Sequence, residues 1–139
     1  MFGYLIIRPN HEIELVESED SEFSLKEFHE KIDCDYIENV RICNPEIVNP
    51  LEGLFMVIDE EGKLTGKEVN FLASVLYGSR DDVIMGNVII GVLEEYPHPD
   101  IYKLPLERAK ELKEGLEALK RENENLLNKV NEYLEADGR

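Results

Sequence analysis

The chain predicts an α+β fold: a small antiparallel or mixed sheet with two short helices, followed by a long C-terminal helix of coiled-coil type. Three observations predict it. Short runs of β-branched and aromatic residues recur between turn formers. Two segments carry helix-start spacing ahead of apolar residues at helical intervals. Residues 104–135 hold an apolar stripe in alternating steps of three and four.

FGYLIIR (2–8) runs into Pro9-Asn10 and reads as a strand entering a turn. EIELVES then sets Ile13, Leu15 and Val16 among acids, as in a half-exposed strand, so the pair forms a hairpin. Ser24 and Glu27 have the spacing of a capping box, and Leu25, Phe28, His29 and Ile32 make residues 25–33 a short helix. DYIENVRIC (35–43) reads as a strand that stops at Asn44-Pro45. Leu54 to Ile58 is a buried strand leaving through Asp59-Glu60-Glu61-Gly62, where the glycine supplies positive φ.

Thr65 and Glu68 repeat the capping spacing, and Val69, Leu72, Ala73, Val75 and Leu76 give a helical face ending at Gly78. DVIMGNVIIGVL (82–93) is β-prone, with Gly86 at a bulge or a close backbone approach. Without the early hairpin strand, this order suits a split β-α-β, ferredoxin-like layout with both helices on one face. The expected domains are 1–96 as the acidic α+β unit, 97–103 as a Pro-rich hinge, 104–135 as the helix and 136–139 as a disordered tail.

In that helix Ala109, Leu112, Leu116, Leu119, Leu126, Val130 and Tyr133 form a heptad seam, with Asn123 filling an a position. A rod of roughly 48 Å, at about 1.5 Å per residue, overhangs a domain roughly 35 Å across. Self-association through Leu112, Leu116, Leu119, Asn123, Leu126, Val130 and Tyr133 is one reading, with two parallel strands the natural guess. Docking on its own domain or on a partner is the other. Leu127 and Leu134, at e positions, leave trimers, tetramers and antiparallel pairs open.

Thirty-one acids against fifteen bases give a formal charge of −16. Residues 11–38 hold eleven acids and two lysines, a net −9. Such a surface disfavours direct binding of nucleic acid, whose phosphates are bound by cations that displace counterions, and it favours a basic partner. No apolar run approaches the roughly 20 residues that cross a bilayer, and the N-terminal residues lack signal-peptide features, so no membrane is expected and a cytoplasmic location is. Cys34 and Cys43 are expected as reduced structural thiols.

His11, His29 and His98 and the two cysteines show no metal-ligand spacing, and no nucleophile elbow, phosphate loop or dinucleotide fingerprint occurs. No catalytic residue, metal or cofactor is therefore expected. Acid pairs such as Glu60-Glu61 follow from composition alone.

SLKEFHEKI, DYIENVRI, VIDEEGKLTGKEVNFLASVLYG and DVIMGNVIIG together resemble the family grouped as domain of unknown function 3846, small proteins of phages, conjugative elements and the bacteria that carry them. The likeness covers roughly residues 3–93 and leaves the long helix outside. Its specific part is Asp59 to Leu64, with Asn70, Ala73, Tyr77-Gly78 and Gly86. Asp33-Cys34-Asp35 stands where such proteins tend to have paired glycines. The resemblance implies a mobile-element origin and no assigned activity. Asn70 reads as an exposed site residue or as a polar contact pinning the preceding turn, and Tyr77 as a core or rim aromatic.

The expected function is a non-enzymatic, phage-type acidic inhibitor or modulator. Its carboxylates Glu12, Glu14, Glu17, Glu19, Asp20 and Glu22 would occupy a basic nucleic-acid groove of a host protein, such as a CRISPR nuclease or another defence enzyme. One alternative is a module that sequesters a signalling nucleotide at a dimer interface, for which Arg41, Lys63, Lys67 and Arg80 are the evident cations. A structural or assembly protein is the other.

Overall fold

The computed structural model describes residues 1–43, 52–79 and 82–136, with side chains in the last helix described through residue 122. Strands β1 (Phe2–Ile7) and β2 (Ile13–Ser18) form the expected hairpin. His11 at its turn takes φ 73°, and the amide of Arg8 donates to the carbonyl of Glu12 at 3.0 Å. Helix α1 (Leu25–Ile32) opens on a full capping box: Ser24 Oγ accepts from the Glu27 amide (3.1 Å) and Glu27 Oε1 from the Ser24 amide (3.1 Å). β3 (Ile37–Arg41) and β4 (Leu54–Asp59) pair next in the chain.

Helix α2 (Phe71–Tyr77) begins later than the Thr65 spacing predicts. Residues 61–66 are consecutive turns, held by Thr65 and Lys67 amides that donate to the Glu61 and Gly62 carbonyls at 3.0 Å each. Asn70 supplies the cap instead. Positive φ in this turn falls on Gly66, not Gly62, whose added Cβ would lie 3.2 Å from the Met85 carbonyl oxygen. β5 (Val88–Glu94) likewise starts late, because residues 82–87 serve as a connection in which Met85 bridges to Val69 and Gly86 takes φ +82°.

The sheet runs β2-β1-β5-β4-β3, and every pair in it is antiparallel. A ferredoxin-like order is therefore not adopted, since that layout needs β1 parallel to a central neighbour. The helices also occupy both faces. Leu5, Ile7, Met56, Val88 and Ile90 point to one face, where Leu72 and Leu76 of α2 pack. The alternate residues Tyr4, Ile6, Val57 and Ile89 meet Phe28 and Ile32 of α1 on the other. Strands with two buried faces read as continuous apolar runs, as β1, β4 and β5 do.

Within the expected hinge at 97–103, residues 100–102 are a strand of the sheet. β1 and β5 pair in register from Leu5↔Ile90 to Ile7↔Val88 and then part. The chain turns back after β5 as β6 (Asp100–Tyr102), which pairs with Val92 to Glu94, and continues as β7 (Leu104–Pro105), which pairs with Phe2 and Gly3. Residues 100–105 thus fill the fork between two diverging strands. Gly91 is what lets them in: a Cβ there would sit 2.6 Å from Ile101 Cγ2 and 2.8 Å from the Tyr102 carbonyl oxygen. Ile101, Tyr102, Lys103 and Leu104 are all buried.

Helix α3 (Leu106–Ala136) follows without a break. Ala109, Leu112 and Leu116 are 0 %, 4 % and 0 % exposed, in the cluster that also holds α2. The first part of the heptad stripe therefore covers this chain's own sheet, against β7, β1 and β2.

Candidate functional site

The residues singled out by the family resemblance gather in a polar node at one end of the sheet. Asn70 is fully buried. Its Nδ2 donates to the carbonyls of Ile7 (3.0 Å) and Gly86 (2.9 Å), and its Oδ1 accepts from the Ala73 amide (3.1 Å). One side chain thus caps α2 and ties it to β1 and to the approach to β5, so Asn70 is a buried tie between elements and not an exposed site residue. Gly78 ends α2 in the left-handed region at φ 74°, donating its amide to the Ser74 carbonyl, and Tyr77 is half-buried against the core.

Asp59, also buried, accepts from the Glu61 amide at 2.8 Å and from Lys67 Nζ at 2.7 Å. Lys67 Nζ donates as well to the carbonyls of Ile32 (3.0 Å) and Asp33, so three acceptors match its three protons. The Lys67 stem crosses Gly86, where a Cβ would lie 2.8 Å from Lys67 Cδ. Burial, and secondarily the Asp59 charge, push the nearby Cys34 thiol up from its ordinary value, so it is no activated nucleophile. Cys34 and Cys43 are both free, and Cys43 lies exposed, outside the core.

A cleft of about 350 Å³ opens beside this node, lined by Arg8, Asn10, Asp33, Lys67 and Asn87 among others. Both of its cations are engaged, since Arg8 pairs with Glu14 at 2.7 Å and Glu12 at 3.8 Å. The described cations among those expected to hold a nucleotide already have partners within the chain. Lys63 pairs with Asp82, the Arg41 guanidinium lies 5.6 Å from the Phe55 ring centroid, and Arg80 is outside the described residues. Among the described residues no group of three or more His, Cys, Asp or Glu is placed to hold a metal ion.

The six expected partner-binding carboxylates do not share one face. Along β2, Ile13 and Leu15 belong to the α2/α3 side and Val16 to the α1 side, so strand alternation turns Glu14 one way and Glu17 the other. Glu19, Asp20 and Glu22 lie exposed on the loop after β2. There, Asp20, Glu22, Phe23 and Glu27 line a concavity of about 420 Å³. The acids form a rim around one sheet edge instead of a flat patch.

Sequence reasoning missed a second polar centre beneath this rim. Lys103 is 5 % exposed; its Nζ donates to Ser18 Oγ (2.9 Å) and Glu27 Oε1 (3.2 Å) and lies 5.7 Å and 5.4 Å from the Tyr4 and Phe23 ring centroids. Burial alone would raise the Glu27 pKa, but hydrogen bonds from Ser24 and the Lys103 ammonium hold it below the usual carboxylate value. Tyr4 is pushed up to about 12, chiefly by burial and then by the Glu27 charge. The available signal was the alternation Ile101-Tyr102-Lys103-Leu104, but Lys103 and Glu27 lie 76 positions apart.

Of the expected oligomerisation residues, Leu112 and Leu116 are buried in the domain's core and Leu119 packs on its margin. Asn123, Leu126, Val130 and Tyr133 lie outside the described side chains. Among the described residues no helix is long and apolar enough to cross a membrane.

Comparison with curated proteins and with solved structures gave no match. The family model for the domain of unknown function (DUF3846) matches residues 2–117, ending one residue past Leu116, the last fully buried position among the described side chains of α3. The family's domain thus takes in the fork-filling strands and the packed turns of α3, more than the likeness over residues 3–93 alone. With most of its length matched, this chain belongs to the DUF3846 family.

Proposed function

We propose that this protein is a non-enzymatic acidic interaction module of mobile-element type. It docks on a basic, nucleic-acid-binding surface of a host protein and competes there with phosphates. The observation that carries this reading is how the charges are distributed. Arg8, Lys26, Lys63, Lys67, Lys103, Arg108, Lys110 and Lys120 each pair with a carboxylate of the same chain. Glu17, Glu19, Asp20 and Glu22 are exposed with no ion pair among the described residues. Charges already compensated within the fold add little to an outside field, whereas uncompensated ones at a rim steer a basic partner.

The test is capture of a host protein by the full chain. Binding is expected to weaken steeply with salt and to fall at least tenfold when Glu17, Glu19, Asp20 and Glu22 become Gln, Gln, Asn and Gln. Salt-independent binding would reject the reading. The same proposal includes self-association through the part of α3 past Leu119, because Asn123, Leu126, Val130 and Tyr133 continue the heptad spacing in the sequence beyond the turns that cover this chain's own sheet. Light scattering is expected to give a dimer, and a monomer at micromolar concentration removes that element.

A further inference from the structure

β2 is the end strand of the described sheet, pairing with β1 on one side only. Which of its backbone groups face outward follows from the register. Partners on β1 and β2 sum to 20, as in Leu5↔Leu15, and the Arg8 amide donates to the Glu12 carbonyl at 3.0 Å in that same register. Hydrogen-bonded pairs alternate with unbonded ones in an antiparallel ladder, so even-numbered β2 residues bond inward to β1. Ile13, Leu15 and Glu17 therefore turn their N–H and C=O groups away from β1. Among the described residues nothing accepts from or donates to these outward groups.

The two end strands differ in charge. β3 carries Glu38 and Arg41, which balance, whereas β2 carries Glu14 and Glu17 and leads into Glu19, Asp20 and Glu22. An acidic edge repels further copies of this acidic chain and attracts an extended cationic segment. We infer that the outer edge of β2 accepts an extended, lysine- or arginine-rich segment of a partner protein as an added antiparallel strand. Ile13, Leu15 and Glu17 supply main-chain hydrogen bonds, and the rim from Glu17 to Glu22 supplies the charge match. This deepens the acidic-module reading and rests on it: main-chain pairing sets the register, and the carboxylates select the partner's composition.

The experiment uses the full chain and, as probe, a terminally blocked ten-residue peptide of alternating lysine and valine. At low salt and saturating peptide, exchange of the Ile13, Leu15 and Glu17 amides is expected to slow at least tenfold, while the β3 amides stay unchanged. Glu17→Pro removes one outward donor without touching the inner ladder. It is expected to lose this protection, whereas Glu17→Gln keeps it and weakens binding only through charge. Salt-sensitive binding that leaves the β2 amides unprotected, or that protects β3 equally, overturns strand addition and leaves the acidic module standing. No binding of the peptide even at low salt overturns strand addition, while the acidic module stands or falls on capture of a host protein by the full chain.

Discussion

The polar node around Asn70 and the acidic rim around Glu17 to Glu22 are both rich in hydrogen-bonding groups, yet they differ in where those groups are directed. In the node, Asn70, Asp59 and Lys67 are matched by partners of the same chain. At the rim, carboxylates face solvent and a strand edge faces outward. Polarity satisfied internally builds the fold, and polarity left unsatisfied at an exposed edge is available to a partner. The node is thus scaffold, and the acids of the rim are the better functional candidates.

The largest effect expected from breaking this contrast is at Asn70. Asn70→Ala strands two buried carbonyls and uncaps α2, at about 1–3 kcal/mol for each unsatisfied group, so a total loss of about 4 kcal/mol is expected in urea unfolding. Asn70→Asp keeps the acceptor for the Ala73 amide but loses both donated bonds, and it should cost nearly as much. A loss under 1 kcal/mol would mean that the node is not what joins β1, α2 and β5.

Next comes the buried pair under the rim. Glu27→Ala leaves the Lys103 ammonium buried without its counter-charge and removes half of the α1 capping box, with an expected cost of about 3 kcal/mol. Because the folded pKa of Glu27 lies below its ordinary 4.5, the pair's stabilisation is present above that value and is lost as pH falls through the folded pKa. Tyr4 acts at the other end. Its folded pKa of about 12 exceeds the ordinary 10.0, so its contribution is complete below pH 10 and fades as pH rises towards 12. Unfolding measured against pH in wild type and Glu27→Ala should coincide at the acid limb and separate near neutrality.

What the sequence made legible follows the same division between local and distant causes. The α1 capping box and the β1–β2 hairpin are written in residues a few positions apart, and both formed as read. The start of α2 is ambiguous in the sequence because Thr65-x-x-Glu68 and Asn70-x-x-Ala73 both offer a cap, and only the buried carbonyls of Ile7 and Gly86 favour the second. Pro97-His98-Pro99 suggested a hinge because prolines flank linkers as well as tight returns. Filling the β1–β5 fork depends on Gly91 and Ile101 meeting across strands. The α3 stripe at Ala109, Leu112 and Leu116 obeys the heptad rule whether it meets a sheet or another helix, so periodicity could not name its partner.

Gly86→Ala is expected to cost less, about 2 kcal/mol. The backbone sits in the left-handed region, and the new methyl would displace the Lys67 stem from its site over the glycine. Gly66→Ala is the control: its φ of +71° is similar, but nothing lies within 4 Å of the added Cβ. Its cost should be the backbone strain alone, about 1 kcal/mol. Equal losses at the two positions would show that Lys67 moves aside freely and that the node is softer than its hydrogen bonds imply.

The smallest effect on stability is expected where the functional effect is largest. Neutralising Glu17, Glu19, Asp20 and Glu22 removes no described ion pair, so urea unfolding should shift by less than about 0.5 kcal/mol, and towards greater stability as self-repulsion falls. That gain should shrink as salt is added, because the repulsion being relieved is between exposed charges that a Debye length of about 8 Å already screens at physiological ionic strength. A stability loss above about 1 kcal/mol would mean that these acids hold the β2–α1 loop in place, which would move the rim to the scaffold side of the comparison. Unchanged folding combined with lost capture of a partner is the pattern that keeps the two regions distinct.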